Sequence, residues 1–211
     1  MDFLNYLNKP ADFKQRNTQI KENKKAPIIK EKKLERQKGN SLLEFPDDYT
    51  VIDLETTGFA GRNSITEIGC IKYRNRKEES RFETLVRPDG NFFIPHQITV
   101  LTGITAEMLR DKPHFSEISD QLWDYLQGEI LVGHNVHFDI NCLYDNFYAC
   151  DGRILNNDFV DTLRLSRRLN KGLKKHTLEY LCRYYGIENS HHRAVADCDS
   201  THKVLEYLRE G

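Results

Sequence analysis

Tyr49-Thr50-Val51-Ile52-Asp53-Leu54-Glu55-Thr56-Thr57-Gly58 is the stretch whose reading decides the fold class. Its first half is rich in β-branched and aromatic residues, which suit a pleated, half-buried strand. Two acids follow at i and i+2, ahead of a glycine. Side chains alternate across a strand, so Asp53 and Glu55 leave the same face. Like charges side by side raise each other's proton affinity, and a cation between them relieves the repulsion. Taken alone, the pair reads as two surface acids at a strand end.

Working outward, Ile65–Tyr73 and Phe82–Val86 are further strand candidates, and Gly58, Gly61 and Asn63 mark a turn after the first run. Residues 96–110 read as short helices broken at Thr102-Gly103. Phe115, Ile118, Leu122, Trp123 and Leu126 recur at helical spacing and stop at Gly128. A short strand at Ile130-Leu131-Val132 leads into a helix from about His137 to Ala149, and a brief strand at Phe159-Val160 precedes helical segments near 161–170, 176–185 and 193–209. Strands first, then strands alternating with helices, indicate a mixed α/β layer architecture.

A chain of 211 residues with 38% hydrophobic and 30% charged residues fits one domain with a tail. No run of 18 apolar residues occurs, which excludes a membrane-spanning helix, and the N-terminus lacks the basic start and apolar run of a secretory signal. Five cysteines without a CxxC pair argue against a disulfide framework or a thiolate zinc site, and point to a reducing cytoplasm. Residues 1–48 hold 11 basic and eight acidic side chains, a balance of +3, whereas the remainder carries −4. The chain therefore divides into a basic, flexible extension over residues 1–48 and a domain over 49–211. Within the extension, Phe3, Leu4, Tyr6 and Leu7 read as a frayed terminus, or as a patch for a partner.

Two more polar clusters stand out. His134-Asn135-Val136-His137-Phe138-Asp139 follows a short buried strand and opens a helix, where Asp139 is equally readable as a first-turn acid favoured by the helix dipole. His192-Arg193-Ala194-Val195-Ala196-Asp197 sets a loop histidine over a helix start, with His191 beside it. Arg164, Arg167, Arg168, Lys171, Lys174 and Lys175 form a stretch without an acid. It reads as a track for a nucleic-acid backbone in preference to a plain solvated face.

In this order, D-x-E-T-T-G, H-N-x-x-F-D and H-x-A-x-x-D resemble the DEDDh, or DnaQ-like, group of 3′→5′ exonucleases, which includes the polymerase III epsilon subunit and PolC-type exonuclease domains. Ser64-Ile65-Thr66-Glu67-Ile68-Gly69 and Leu101-Thr102-Gly103-Ile104-Thr105 look like the motifs that link them, and the likeness spans about residues 49–208. It implies a ribonuclease H-like fold, a five-stranded mixed sheet flanked by helices. It implies four metal-binding acids, Asp53, Glu55, Asp139 and Asp197, with Asp53 shared between two ions, and His192 as general base. All-oxygen ligands suit Mg²⁺ or Mn²⁺, two such ions serve phosphodiester hydrolysis, and an imidazole with an ordinary pKa of about 6.5 takes a proton near neutrality. By the same resemblance, Thr56 and Thr57 meet the last sugar and phosphate, Leu101 wedges against the terminal base, and His134, Asn135 and Phe138 line the other side. Many relatives carry histidine where this chain has Thr102, which leaves the polar contact at Thr102 open.

The expected activity is removal of 5′-mononucleotides from single-stranded or frayed 3′ ends of DNA, of the proofreading or repair type. The rivals are a 3′→5′ RNA exonuclease of the ribonuclease T or oligoribonuclease type, and a non-catalytic nucleic-acid-binding module. A polymerase or helicase reached through the N-terminal extension is a further partner under this reading, and a membrane is not.

Overall fold

The computed structural model describes residues 35–58, 64–188 and 192–211. Gly61, Asn63, His191 and the expected flexibility of residues 1–34 lie outside the described residues. The strands are β1 (Ser41–Leu42), β2 (Tyr49–Thr56), β3 (Ile65–Arg74), β4 (Lys77–Leu85), β5 (Leu131–Gly133) and β6 (Phe159–Asp161). The helices are α1 (His96–Thr102), α2 (Ala106–Leu109), α3 (Phe115–Leu126), α4 (His137–Asp151), α5 (Thr162–Leu169), α6 (Leu178–Tyr185) and α7 (Ala194–Glu210).

The strands form a single mixed sheet in the order β1-β6-β5-β2-β3-β4. β2 pairs antiparallel with β3 and parallel with β5, while β5, β6 and β1 run parallel. Among the described residues the sheet thus has six strands, where the family likeness implied five. The added strand is β1, two residues long, held where Phe159 N–H donates to the Asn40 carbonyl oxygen at 2.9 Å.

The alternation along β2 sorts the core. Ile52 and Leu54 face α3 and α4 in one apolar cluster, with Leu122, Leu126, Ile140 and Leu143. Tyr49 and Val51 face the other side, against Leu165 of α5, Leu181 of α6 and Val204 and Leu205 of α7. A small third cluster, Ile94, Ile98, Ile104 and Leu109, packs α1 against α2.

β4 begins at Lys77, five residues before the strand expected at Phe82. Its first half is Lys-Glu-Glu-Ser-Arg and mostly exposed. It is an edge strand, where charge is tolerated and protects against pairing with other chains, so hydrophobic periodicity could not locate it. β3 and β4 turn through Asn75 and Arg76, both left-handed at φ 48 and 63; this is the geometry that two-residue hairpin loops demand.

The compact unit that holds the sheet also begins earlier than the expected boundary at residue 49, for it runs from Glu35 to Gly211. Arg36 forks onto Asp145 of α4 (Nε–Oδ1 2.7 Å), and Leu42, Leu43 and Phe45 pack on the α7 side of the sheet. Composition made this segment resemble the basic stretch before it, and only long-range contacts set it apart. No helix among the described residues is long and apolar enough to cross a membrane.

Candidate active site

Four acids arrive from three elements. Asp53 and Glu55 continue the odd-numbered series of β2 and so share the face of Tyr49 and Val51, toward α7. Their cross-strand neighbours on β3 are Gly69 and Glu67. A Cβ at Gly69 would lie 2.6 Å from the Ala194 carbonyl carbon and 2.7 Å from the Val195 nitrogen. The missing side chain therefore lets α7 begin directly on the strand beside Asp53. The Cys198 thiol reinforces the contact by donating to the Gly69 carbonyl at 3.3 Å, and Asp197, its neighbour in the first turns of α7, is carried in.

Asp139 comes from the other layer. It is buried in the first turn of α4, where the Leu54 N–H of β2 donates to its Oδ1 at 3.1 Å. The turn into α4 is tight: a Cβ at Gly133 would meet Val136 Cγ2 at 2.6 Å. Asn135 is left-handed at φ 65, and its N–H donates to Asp161 Oδ1 at 2.9 Å. Asp161 also caps α5 through the Leu163 N–H, so one carboxylate braces two helix entrances.

Three of these acids hold their protons more firmly than ordinary carboxyls, and burial is the largest cause for each. Asp53 is pushed well above the usual range by burial and then by the charges of Asp139, Asp197, Glu55 and Glu67. Glu55 is raised to about 7 by burial, with Asp197 and Glu67 adding and Arg193 opposing. Asp139 rises to about 8 through burial, against the N–H donors of its own backbone and Leu54 and with help from Glu55 and Asp161. The mutual influence places the four carboxyls in one electrostatic neighbourhood, in which Arg193 opposes the rise at Glu55.

His192 stands at its rim. Its N–H donates to Asp197 Oδ2 at 3.1 Å, and its φ of 66 is a conformation non-glycine residues seldom adopt. Donor atoms of Glu55, His192 and Asp197 lie within 4.8 Å of one another. Oxygen donors with raised proton affinity fit a hard divalent cation, which offsets the repulsion that otherwise retains protons.

Glu67 and Arg193, given no role on sequence grounds, hold this arrangement together. Glu67 is 1% exposed. It accepts from Arg193 Nε at 2.9 Å, from Arg193 Nη2 at 2.6 Å and from the Ala194 N–H at 3.0 Å. The pair fixes the start of α7 between His192 and Asp197. The sequence signal was present: Glu67 lies two residues before Gly69 in the linking motif, and Arg193 fills a variable position of H-x-A. Only the packing of the start of α7 against β3 shows that they meet.

Beside the acids opens a cleft of about 190 Å³, lined by Asp53, Glu55, Thr56, Ile98, Leu101, Thr102, His134, Asn135, Phe138 and Asp139. Leu101, Ile98 and Phe138 make apolar walls, and Leu101 keeps 39% of its surface exposed. Several polar groups expected to meet substrate are engaged within the protein. His134 Nδ1 is 2.9 Å from Thr162 Oγ1 and its Nε2 2.8 Å from the His176 carbonyl, so both ring nitrogens are used. Thr102 Oγ1 donates to the Ile98 carbonyl and accepts from the Ile104 N–H. Thr56 donates to the Gly58 carbonyl, and Thr57, outside the cleft lining, accepts from the Ser64 N–H. A larger hollow of about 280 Å³ lies between Trp123, Gln127 and Asn156–Asp158, and none of the four acids lines it. Size alone does not locate the chemistry.

Comparison with known proteins agrees with this geometry. An exonuclease family, the one whose model bears the name of ribonuclease T, matches residues 50–205. The chain is 37% identical over 165 residues to a PolC-type DNA polymerase III of Clostridium perfringens, covering 77% of this chain and 11% of that protein. It is 36% identical over 178 residues to that of Caldanaerobacter subterraneus, covering 82% of this chain and 12% of the relative. The chain thus spans about an eighth or less of the length of these curated relatives. Among solved structures, exonuclease X in complex with 5′-overhanging duplex DNA aligns with a TM-score of 0.60 at 28% identity, over 77% of this chain and 91% of that one. E. coli exonuclease I with a dT13 oligonucleotide aligns at a TM-score of 0.68 and 19% identity, over 78% of this chain and 41% of that one, which bears on fold alone. With the family model spanning most of the folded body and relatives above 30% identity, the chain belongs to the DnaQ-like 3′→5′ exonuclease family.

Proposed function

We propose that this chain hydrolyses DNA from the 3′ end, releasing 5′-mononucleotides, with two Mg²⁺ or Mn²⁺ ions held by Asp53, Glu55, Asp139 and Asp197. The observation that carries the reading is the buried, mutually repelling carboxyl cluster around Asp53 at the mouth of an apolar-walled cleft. Such a cluster is costly in an ordinary core and useful where cations and a phosphodiester meet. When bound, the ions would neutralise charge developing on the phosphate and acidify a water molecule.

The protein's own groups supply the rest. Asp53 is the central ligand, since every other acid of the cluster acts on it. Glu55 and Asp197 serve the side next to His192. His192 is the general base: it sits within reach of both acids, and its backbone is pinned through Asp197. It would accept the proton of the attacking water and pass it to bulk solvent. Leu101 and Phe138 take the terminal base by apolar contact, which grips any base because every base offers a flat face. His134 and Thr102 shape the wall without donating to the nucleotide. Asn135, whose N–H is committed to Asp161, has its side chain left for the sugar or phosphate.

In this reading the substrate is a single-stranded or frayed DNA 3′ end, and the enzyme works alongside a replicative polymerase in the cytoplasm. The likeness to PolC-type polymerases supports DNA over RNA. The test is a paired digestion of 5′-labelled DNA and RNA dodecamers of matched sequence with Mg²⁺ and with Mn²⁺, products being identified by chromatography. Stepwise shortening of DNA with 5′-nucleotide release, abolished by chelation, is the expected result. Faster digestion of RNA overturns the substrate assignment, and no metal-dependent release from either overturns the catalytic one.

A further inference from the structure

A second charged feature lies outside the acidic cleft. α5 and the loop after it carry Arg164, Arg167, Arg168, Lys171, Lys174 and Lys175, all exposed, with no acid between residues 164 and 175. Exposed arginines elsewhere in this protein have carboxylate partners. Arg81 pairs with Glu78 and Asp199, Arg110 with Glu107, and Arg183 with Glu179. Among the described residues, none of the six cations stands in an ion pair; Arg164 instead donates to Ser41 Oγ at 2.7 Å.

This segment is bonded to the cleft wall. His134 lines the cleft, and its Nε2 lies 2.8 Å from the carbonyl oxygen of His176, the residue after Lys174-Lys175. The His176 ring returns to α5, with Nδ1 2.8 Å from Ser166 Oγ, beside Arg167. The charge on Arg167 is felt at His134, where it opposes protonation. A wall residue with both nitrogens engaged therefore acts as a strut between the cleft and the cationic segment.

We infer that α5 and the loop 170–176 form a track for the phosphate backbone of the strand whose 3′ end enters the cleft, an inference that rests on the nuclease reading above. The cleft itself is acidic and repels phosphates not neutralised by a metal ion, so the rest of the strand is held by cations set apart from it. Exposed, unpaired lysines and arginines meet that need without regard to base sequence. The track departs from the His134 wall, so it serves nucleotides upstream of the terminal one.

The test measures binding of fluorescein-labelled dT12 and dT3 by anisotropy across a KCl series. It uses the whole chain with Arg167→Ala/Arg168→Ala/Lys171→Ala and, separately, Lys174→Ala/Lys175→Ala. In the wild type, dT12 binds more tightly than dT3. The first variant should lose about ten-fold in dT12 affinity, with a salt slope shallower by about 2, since each single-strand phosphate contact contributes roughly 0.7; the advantage of dT12 over dT3 should shrink in both variants. An undiminished dT12 advantage and an unchanged slope in both variants would overturn the track. Wild-type protein that shows these binding losses on mutation yet releases no nucleotide with Mg²⁺ would instead overturn the nuclease reading and leave the track standing.

Discussion

At the scale of single residues, Asp53 is the most crowded acid of the proposed site. It is crowded by Asp139, Asp197, Glu55 and Glu67, so a neutral isostere removes repulsion and, under the proposed function, the central metal donor as well. Asp53→Asn is expected to lower nucleotide release by more than about 100-fold, beyond the loss typical of a group one shell further from a metal. It should also leave thermal unfolding of the metal-free protein unchanged or slightly higher. The acids also predict a pH dependence. A carboxyl whose pKa is higher folded than unfolded stabilises the fold below its unfolded value of about 4, and that contribution disappears as pH rises through the folded pKa. Glu55 near about 7 and Asp139 near about 8 set the upper window. Calorimetry of the metal-free protein should show a midpoint lower at about pH 9 than at about pH 5, by on the order of 5 °C, with Mn²⁺ restoring the loss and releasing protons. A midpoint of the metal-free protein that stays flat across this range contradicts the clustered acids.

At the level of elements, the packing of α7 on β3 decides whether Asp197 reaches the site. Gly69→Ala places a methyl within 2.7 Å of backbone in α7, where no side chain can swing aside. A loss of roughly 1–3 kcal/mol is expected from such overpacking, and kcat should fall further than the loss of folded protein explains. Arg193→Ala uncovers the buried Glu67 carboxylate; because Arg193 is about half exposed, the cost is set at about 2 kcal/mol, below the 3–5 of a fully buried pair. Arg193→Lys should recover part of the stability but less of the activity, since an ammonium cannot fork onto both Glu67 oxygens. Equal activity in Arg193→Ala and wild type would remove the clamp from the mechanism. Such partnerships were hidden in the sequence for a reason. Glu67 and Arg193 are 126 residues apart, and neither periodicity nor motif spacing reports how the start of a helix packs on a strand.

Across the whole molecule, the segment before β2 is part of the folded body. Arg36 binds Asp145, the Asn40 backbone and side chain both meet Asp158, and Arg209 of α7 donates to the Phe45 and Pro46 carbonyls. A chain starting at Tyr49 should therefore unfold several degrees below one starting at Glu35, with β6 exchanging its amide protons faster; identical midpoints would make residues 35–48 an appendage. By itself the sequence determined the class of fold, because the β-branched and aromatic run Tyr49–Leu54 and the helical spacing of Phe115–Leu126 are local properties written in neighbouring residues. It also singled out Asp53, Glu55, Asp139 and Asp197 as candidates, because three spaced motifs hold them. Tertiary structure alone decided that His134 and Thr102 spend their polar atoms inside the protein, that Glu67 and Arg193 lock α7 in place, and that a two-residue strand completes the sheet. Each of these depends on contacts between residues distant in the chain, and hydrogen-bond partners across such distances are set by packing geometry that no local pattern encodes.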